Sequence, residues 1–176
     1  DLFMFRPIFL EQRLEGFAVA ICHHTDVGGR VPGSNASDST EIYQEGLRIP
    51  AVKLYERGRP NEMLFRLIEK NVRVPDIVRG DIEAQFAACR VGEREFTKLL
   101  QRYGRDEAQR YLVGLMDYAE RLTREEIAGW PDGTYRFTDY IDDDGFSDRP
   151  IPIAVAITVA GDRLVVDYEG SSPQVQ

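Results

Sequence analysis

The spacing of hydrophobic residues changes twice along this chain, and these changes limit its fold more than any other feature. Two apolar runs, 2–10 and 14–22, flank the polar segment 11–13 and predict a β-hairpin. Residues 60–129 carry apolar side chains at helical spacing, and residues 132–170 return to the alternation that is typical of β-strands. The sequence therefore predicts an α+β fold with an N-terminal β-hairpin, central helices and C-terminal antiparallel strands.

The central and C-terminal patterns predict individual elements. Helices are expected over 61–70, over 76–103 with Gly92 as a point of interruption, and over 106–128. Because few residues separate the last two helices, we expect them to pack as a long antiparallel pair. Strands are expected over 134–140, 151–159 and 163–168, with a tight turn at Gly161-Asp162. A short helix ending at Gln44 and a short strand over 51–55 complete the prediction.

A length of 176 residues suits a single domain-sized fragment. We divide it into a hairpin with a glycine-rich loop (1–58), a helical part (60–129) and an antiparallel β part (132–170). The sequence begins inside a predicted strand without an initiator Met, and it ends on loop-like residues. We therefore expect it to be a piece of a larger subunit.

Composition excludes several classes of partner. The net charge is -8 and the pI is about 4.9, with arginines dispersed among acidic residues, whereas binding to nucleic-acid phosphates needs clustered cations. No apolar run approaches the roughly 18 residues that span a bilayer, so neither a nucleic acid nor a membrane is expected as a partner. Cys22 and Cys89 are far apart in sequence, which is typical of thiols in a reducing compartment, and we expect a cytoplasmic protein.

The two histidines of the chain, His23 and His24, are adjacent, and Asp26 follows closely. Neutral imidazole is the commonest metal ligand among side chains, and a nearby carboxylate can complete the coordination sphere or orient the ring. Neighbouring residues of a strand face opposite sides of the sheet. The two histidines are therefore expected to play different roles.

The register of the hairpin decides which histidine shares a face with the first residue. A turn centred on residue 12 pairs Leu10 with Leu14 and Asp1 with His23. Directly opposed residues have Cβ atoms roughly 5 Å apart, and this separation suits two ligands of one metal ion. A turn shifted by one residue would pair Asp1 with Cys22 instead.

This register predicts a metal site with Asp1 and His23 as ligands. His24 and Asp26 lie close by and are predicted as groups that transfer protons or orient the ligands. The alternative is an ordinary hairpin end without a metal ion, because a His-His-x-Asp sequence is not a specific metal signature and two ligands do not make a site.

Residues 25–39 form a long loop that contains several glycines, and its length favours a functional role. The segment Val27-Gly28-Gly29-Arg30 could wrap backbone amides around an anion, but it lacks the Lys-Ser/Thr of a phosphate-binding loop, so a plain turn is favoured. Glu45 lies near the short predicted helix and is a candidate general base. A solvated carboxylate is the commoner alternative.

Several segments taken together carry a family resemblance. They are His23-His24-Thr25-Asp26-Val27-Gly28-Gly29, Pro32-Gly33-Ser34, Ile42-Tyr43-Gln44-Glu45-Gly46-Leu47-Arg48-Ile49-Pro50, Lys53-Leu54, Arg79-Gly80-Asp81-Ile82-Glu83-Ala84-Gln85 and Gly170-Ser171-Ser172-Pro173-Gln174. They closely resemble the hydantoinase B family, which includes the B subunit of ATP-dependent N-methylhydantoinase, the C-terminal half of 5-oxoprolinase and subunits of acetone and acetophenone carboxylases. The resemblance covers essentially the whole chain.

The resemblance also implies a set of ligands and a partner. In this family a metal is held by a His-x-x-Asp motif on one strand and by the first histidine of a His-His pair on the next. The matching residues here are Asp1 and His23, and the histidine of the first motif would lie before residue 1. The family resemblance implies a divalent metal such as Zn, Mn or Fe, and a partner A subunit or half that carries ATP.

The reaction implied by the resemblance is metal-assisted, ATP-dependent hydrolysis of a cyclic amide of the hydantoin or 5-oxoproline type. We predict His24, Asp26 and Glu45 as its catalytic residues. Two alternatives remain open. The chain could belong to an ATP-dependent ketone carboxylase of the acetone or acetophenone type, or it could be a non-catalytic module whose loop 28–37 docks a partner subunit.

Overall fold

An N-terminal hairpin opens the computed structural model, which describes residues 2–34 and 36–175. Strands β1 (Leu2–Leu10) and β2 (Arg13–Cys22) pair antiparallel. Glu11 and Gln12 form the turn with φ angles of 49° and 68°, the left-handed conformation that two-residue hairpin turns of the I′ type need at both positions.

The register of this hairpin differs from the prediction at the turn and agrees with it further along. Leu10 pairs with Arg13 rather than with the predicted Leu14, because the turn contains two residues instead of three. A bulge between Ile8 and Phe9 then shifts the register by one residue, so that the pairs up to Leu2 and Cys22 are those predicted. The predicted pairing of Asp1 with His23 lies outside the described residues.

Helix α2 (Pro75–Tyr103) packs on one face of the hairpin. The predicted interruption at Gly92 is wrong, since the helix is continuous. A Cβ atom added to Gly92 would lie 3.2 Å from the Cβ of Ala18, so the glycine lets the helix backbone approach the small residues of β2. The opposite face of the hairpin exposes Phe3, Phe5, Phe17 and Val19, a patch of the kind that packs against another polypeptide segment.

Helix α1 (Glu62–Asn71) confirms the helix predicted over 61–70, and the side chain of Asn61 caps it by accepting a hydrogen bond from the backbone N–H of Leu64 at 3.3 Å. The main core joins this helix to the start of α2. Its buried residues are Phe65, Ile68, Val72, Val78 and Ile82.

The segments between the hairpin and α1 are mostly irregular. The predicted short helix is reduced to a 3₁₀ turn, Ile42–Gln44, and a second 3₁₀ turn spans Pro32–Ser34. The strand predicted over 51–55 is wrong in position, because β3 (Tyr55–Glu56) pairs with β4 (Arg59–Pro60) around a turn at residues 57–58. Both turn residues have positive φ, which is typical of a tight turn. The strand pair therefore lies later in the chain than the apolar run over 51–55 suggests.

A second compact unit begins at Gly104. It contains α3 (Arg105–Ala128) and a sheet of β5 (Gly133–Ile141), β6 (Ile151–Ala160) and β7 (Arg163–Asp167), with β6 in the middle and all pairs antiparallel. The three predicted strands and the α+β class are thus confirmed. The hydroxyl of Ser171 extends the sheet by bonding both backbone groups of Ala154, each at 3.0 Å.

The boundary between the two units falls at 103/104, inside the predicted helical part 60–129. The two long helices therefore belong to different units, and their predicted antiparallel packing stays a prediction. No helix in the part of the chain that the structure describes is long and apolar enough to cross a bilayer. Cys22 and Cys89 are both free cysteines.

Candidate functional site

The candidate site lies where three pieces of the first unit meet. The loop after β2 supplies the two histidines and Asp26, the link between α1 and α2 supplies Arg73, and α2 supplies Gln85. The link is anchored in the main core, because Val72 belongs to the link and Val78 to the first turn of α2. Packing of the two helices thus positions the link against the loop.

The two histidines occupy different environments. His23 is exposed, whereas His24 is buried with 4% of its surface accessible. Beyond the end of β2 the pair continues the alternation of that strand, in which Ala20 and Cys22 are less accessible than Ile21. His23 is thus accessible to a ligand from solvent, and His24 faces the protein interior.

His24 contacts Gln85, a buried residue on α2. The Nε2 atom of His24 lies 3.1 Å from Oε1 of Gln85. The Nε2 amide of Gln85 donates to the carbonyl of Leu2 at 2.9 Å and to that of Ala20 at 3.4 Å, so it bridges both strands of the hairpin. The Nδ1 atom of His24 is buried and has no hydrogen-bond partner among the described residues.

Asp26 is buried and accepts four hydrogen bonds. Arg73 donates from its backbone N–H and from Nη1, both at 2.7 Å, and the backbone N–H groups of Gly28 and Gly33 donate at 3.3 Å. Burial by itself raises the pKa of this carboxyl, but the bonds from Arg73, Gly28 and Gly33 outweigh it, so the pKa lies below its ordinary value. An ionised, fully bonded carboxylate favours a structural role for Asp26 over the predicted proton transfer.

Arg73 also binds backbone carbonyl groups of the loop. Its Nη1 donates to the carbonyl of Gly28 at 3.2 Å, and its Nη2 donates to that of Gly29 at 2.7 Å. The hydroxyl of Ser34 donates to the same Gly28 carbonyl. The planar guanidinium thus binds the carbonyls of two consecutive glycines while it pairs with Asp26.

Three glycines let backbone segments touch at this point. A Cβ atom added to Gly28 would lie 2.5 Å from the carbonyl oxygen of Asn71, and one added to Gly46 would lie 2.4 Å from that of Val27. Gly29 is similarly close to the carbonyl oxygens of residues 44 and 45, at 2.7 Å. All three have φ between 84° and 126°, so they meet both a conformational and a steric requirement.

The third predicted catalytic residue, Glu45, is exposed. Its backbone N–H donates to the carbonyl of Ile42 at 3.2 Å, and its own carbonyl packs on Gly29. The structure thus brings the backbone of Glu45 to the glycine loop, while its carboxylate stays in contact with solvent.

The two predicted metal ligands differ in what the structure describes of them. Asp1 lies outside the described residues, and His23 is exposed at the end of β2. Among residues 2–34 and 36–175, no group of three His, Cys, Asp or Glu side chains lies close enough to hold a metal ion. A complete coordination sphere would therefore need donors beyond these residues.

Sequence reasoning did not identify Gln85 and Arg73 as site residues. Gln85 lies three residues after Ile82 and four before Cys89, so it is a polar residue inside the apolar stripe of a helix. That position was a usable signal, because a polar side chain on a buried face needs a partner. Arg73 carried no such signal, since it lies in a link without periodicity.

Comparison with known proteins now defines the family. The model of the hydantoinase B/oxoprolinase family matches residues 1–176, and the chain belongs to that family. It is 38% identical over 96% of its length to a protein of Pseudomonas sp. (strain NS671) that is provisionally named as the B subunit of a D-/L-hydantoinase. It is 39% identical over 99% of its length to caprolactamase subunit beta of Pseudomonas jessenii.

The structural comparison agrees. The crystal structure of the ATP-dependent caprolactamase from Pseudomonas jessenii superimposes with a TM-score of 0.88 and 38% identity, covering 98% of this chain and 30% of that one. A more distant relative, the acetophenone carboxylase delta subunit of Aromatoleum aromaticum, is 26% identical over 99% of this chain and 26% of its own length. The chain spans 29% of the hydantoinase relative and 30% of the caprolactamase subunit.

Proposed function

We propose that the protein containing this chain hydrolyses a cyclic amide in an ATP-dependent, metal-assisted reaction. The observation that carries this proposal is the identity of 38% and 39%, over nearly the whole chain, to relatives named hydantoinase and caprolactamase. Hydantoins and caprolactam are both cyclic amides. The chain covers only 29% and 30% of these two relatives, so we propose the activity for the whole protein rather than for these residues.

The proposed cofactor is a divalent metal ion, Zn, Mn or Fe, with Asp1 and His23 as two of its ligands. The exposed imidazole of His23 suits such an ion by donor type and accessibility, and the described residues do not complete the site. When bound, the ion supplies Lewis acidity toward an amide carbonyl. The remaining ligands are proposed to come from outside the described residues.

The other site residues have distinct proposed roles. His24 accepts or donates a proton at Nδ1, the buried atom without a described partner. Asp26 and Arg73 hold the glycine-rich loop beside it. Glu45 is the least supported of the predicted catalytic residues because its carboxylate is exposed, and we retain it only as a residue that lines the substrate pocket.

We further propose a hetero-oligomer with an A-type subunit or half that binds ATP. Two similar proteins are named as subunits of larger enzymes, and the caprolactamase is named as ATP-dependent. A cytoplasmic location is proposed on the composition and on the two free thiols.

The metal proposal is tested by changing His23 to Ala in the full-length protein. The expected result is at least a tenfold loss of bound divalent metal, measured by elemental analysis after dialysis, together with loss of ATP-dependent lactam or hydantoin hydrolysis. Thr25→Ala, an exposed neighbour in the same loop, is the matched control and should keep its metal. Equal metal content in the two variants would contradict the assignment.

A carboxylase is the second candidate, and the acetophenone carboxylase delta subunit at 26% identity favours it. Bicarbonate-dependent and ATP-dependent consumption of a ketone by the full-length complex, with no turnover of hydantoins or lactams, would select this candidate.

The non-catalytic candidate makes a different prediction about the loop 28–37. Arg30 lies in this loop and pairs with Asp38. If the loop only docks a partner subunit, Arg30→Glu should abolish assembly and leave the metal content unchanged. Unchanged assembly would exclude this role for Arg30.

A further inference from the structure

We propose that Gln85 is a positioning residue that fixes the tautomer of His24. In this tautomer the ring hydrogen is on Nε2, and the Nδ1 lone pair is an acceptor for an N–H or O–H group of the substrate or of water. The tautomer itself does not depend on the reaction, whereas its use by a cyclic amide rests on the proposed function. Both side chains are nine-tenths buried or more, so neither exchanges its partner freely with solvent.

The orientation of the Gln85 amide follows from the two partners of its nitrogen. Its Nε2 lies 2.9 Å from the carbonyl oxygen of Leu2 and 3.4 Å from that of Ala20, and these oxygens only accept hydrogen bonds. An amide NH₂ has two hydrogens, one for each carbonyl. The flipped amide would place Oε1 against two carbonyl oxygens, and none of these three atoms could donate a hydrogen bond. The two strands of the hairpin therefore direct Oε1 toward His24.

The state of His24 follows from this orientation. Oε1 of Gln85 carries lone pairs and no hydrogen, so the 3.1 Å contact requires the hydrogen on Nε2 of His24. A neutral imidazole has one N–H, and Nδ1 is then a bare acceptor. Because Nδ1 is buried without a described partner, and buried polar atoms are nearly always bonded, the geometry points to a donor that binds there.

The position of Gln85 explains why this tautomer is stable. The residue lies on α2 between the buried residues Ile82 and Cys89, and α2 packs on both strands of the hairpin. Rotation of the amide would break its bonds to both strands at once. Helix packing, rather than the loop itself, therefore sets the chemistry of His24.

The tautomer is measured directly by ¹⁵N spectroscopy of the histidine rings in the full-length protein, with His24→Gln to assign the signals. We expect a proton-bearing Nε2 and a proton-free Nδ1 for His24. In Gln85→Met the acceptor is lost, and we expect a hydrogen on Nδ1 in a comparable fraction of molecules. Gln85→Glu keeps an oxygen acceptor and should keep the original tautomer.

Ile82→Val is the control for a general loss of packing, because it removes one methylene from the same helix face without touching the hydrogen bond. It should lower the unfolding midpoint and leave the tautomer unchanged. A hydrogen on Nδ1 in the unaltered protein would overturn the inference, and this result is available even if Gln85→Met fails to fold. An unchanged tautomer in folded Gln85→Met would also overturn it.

The source of the donor is decided by adding a lactam with a free N–H and, separately, its N-methyl analogue. A shift of the Nδ1 signal with the first alone assigns the donor to the amide of the substrate. A hydrogen-bonded Nδ1 signal that neither compound changes assigns it to water, and a signal without any hydrogen bond overturns the acceptor role. Absence of hydrolase activity with the Nε2–H tautomer present would refute the proposed function and leave this inference standing.

Discussion

Asp26 orders its loop because one buried carboxylate accepts hydrogen bonds from two glycine amides and from Arg73. Backbone N–H groups in a loop need partners when they are buried, and the loop has no regular secondary structure to supply them. The charge of Arg73 compensates the buried charge of Asp26, although the guanidinium itself is half-exposed. These four hydrogen bonds favour a structural role for this aspartate.

We predict that Asp26→Asn lowers the free energy of unfolding by about 1–3 kcal/mol at neutral pH, because an amide cannot accept all four bonds and leaves buried donors unsatisfied. Urea unfolding of both proteins measures the difference. The matched control is Asp38→Asn, an exposed aspartate that pairs with Arg30 in the same loop, for which we expect a change within about 0.5 kcal/mol. Equal effects of the two substitutions would argue against the structural role of Asp26.

The same residue predicts a pH dependence. Its folded-state pKa lies below the ordinary value, so the carboxylate contributes stability at pH values above the unfolded-state pKa of about 4. This contribution is lost as the pH falls through the folded-state pKa. The difference in stability between the unaltered protein and Asp26→Asn should be constant from about pH 5 to 8, on the order of the value above, and should shrink below about pH 4. A constant difference down to about pH 2 would contradict it.

The glycines of the loop differ from turn glycines in what surrounds them. Gly28 and Gly58 have similar φ angles of 87° and 77°, but a Cβ atom on Gly28 would lie 2.5 Å from a backbone carbonyl oxygen, whereas nothing lies within 4 Å at Gly58. We predict that Gly58→Ala costs about 1–2 kcal/mol of conformational strain. Gly28→Ala should cost about 1–3 kcal/mol more because of the added overpacking. Thermal and urea unfolding test the difference, and similar costs would contradict the close approach.

The central helix α2 connects the hairpin to the site. Gly92 faces Ala18 of β2, and Cys89 and Gln85 occupy the same face about one and two turns earlier. Strand β2 presents the small residues Ala18 and Ala20 on this side, whereas the other face of the hairpin exposes Phe3, Phe5 and Phe17. The helix can therefore lie close to the strands, and this brings Gln85 within hydrogen-bond distance of His24.

We predict that Gly92→Leu destabilises the first unit by about 1–3 kcal/mol, since the larger side chain must displace the hairpin from the helix. Gly80→Leu on the same helix is the matched control, because nothing lies within 4 Å of a Cβ atom there. It should raise stability by about 0.5–1 kcal/mol through helix propensity alone. A stabilising Gly92→Leu would show that the glycine is not needed for close packing.

At the scale of the whole molecule, the chain divides into two units at 103/104. It also spans only 29% and 30% of the length of two of its relatives, so any activity of the whole protein needs residues beyond this chain. The described residues of the candidate site all belong to the first unit. In the proposed assembly this unit contributes ligands and a histidine, whereas ATP is bound by another subunit or half.

This assembly predicts that a chelator applied to the full-length complex removes hydrolysis of the cyclic amide and leaves the subunits associated. Size-exclusion chromatography and activity measured on the same sample test it, and added divalent metal should restore activity. Dissociation of the complex by the chelator would assign the ion to assembly rather than to chemistry.

The sequence by itself determined most of the long elements. The spacing of hydrophobic residues and the positions of turn residues were sufficient to predict the hairpin, α1 and the three C-terminal strands. The spacing reports which face of a segment is buried, and the turn residues mark where the segment ends. They were insufficient for the turn at Glu11-Gln12, where a two-residue turn and a bulge replace a three-residue turn and give the same register further along. The difference between His23 and His24 also followed from strand alternation.

The tertiary structure alone decided which residues meet. Gln85 lies 61 residues from His24, and Arg73 lies 47 residues from Asp26. A hydrophobic pattern shows that Gln85 is on the inner face of a helix, but it does not show which strand lies opposite. That information depends on the close approach of α2 to the small residues of β2, which is a property of packing between distant segments.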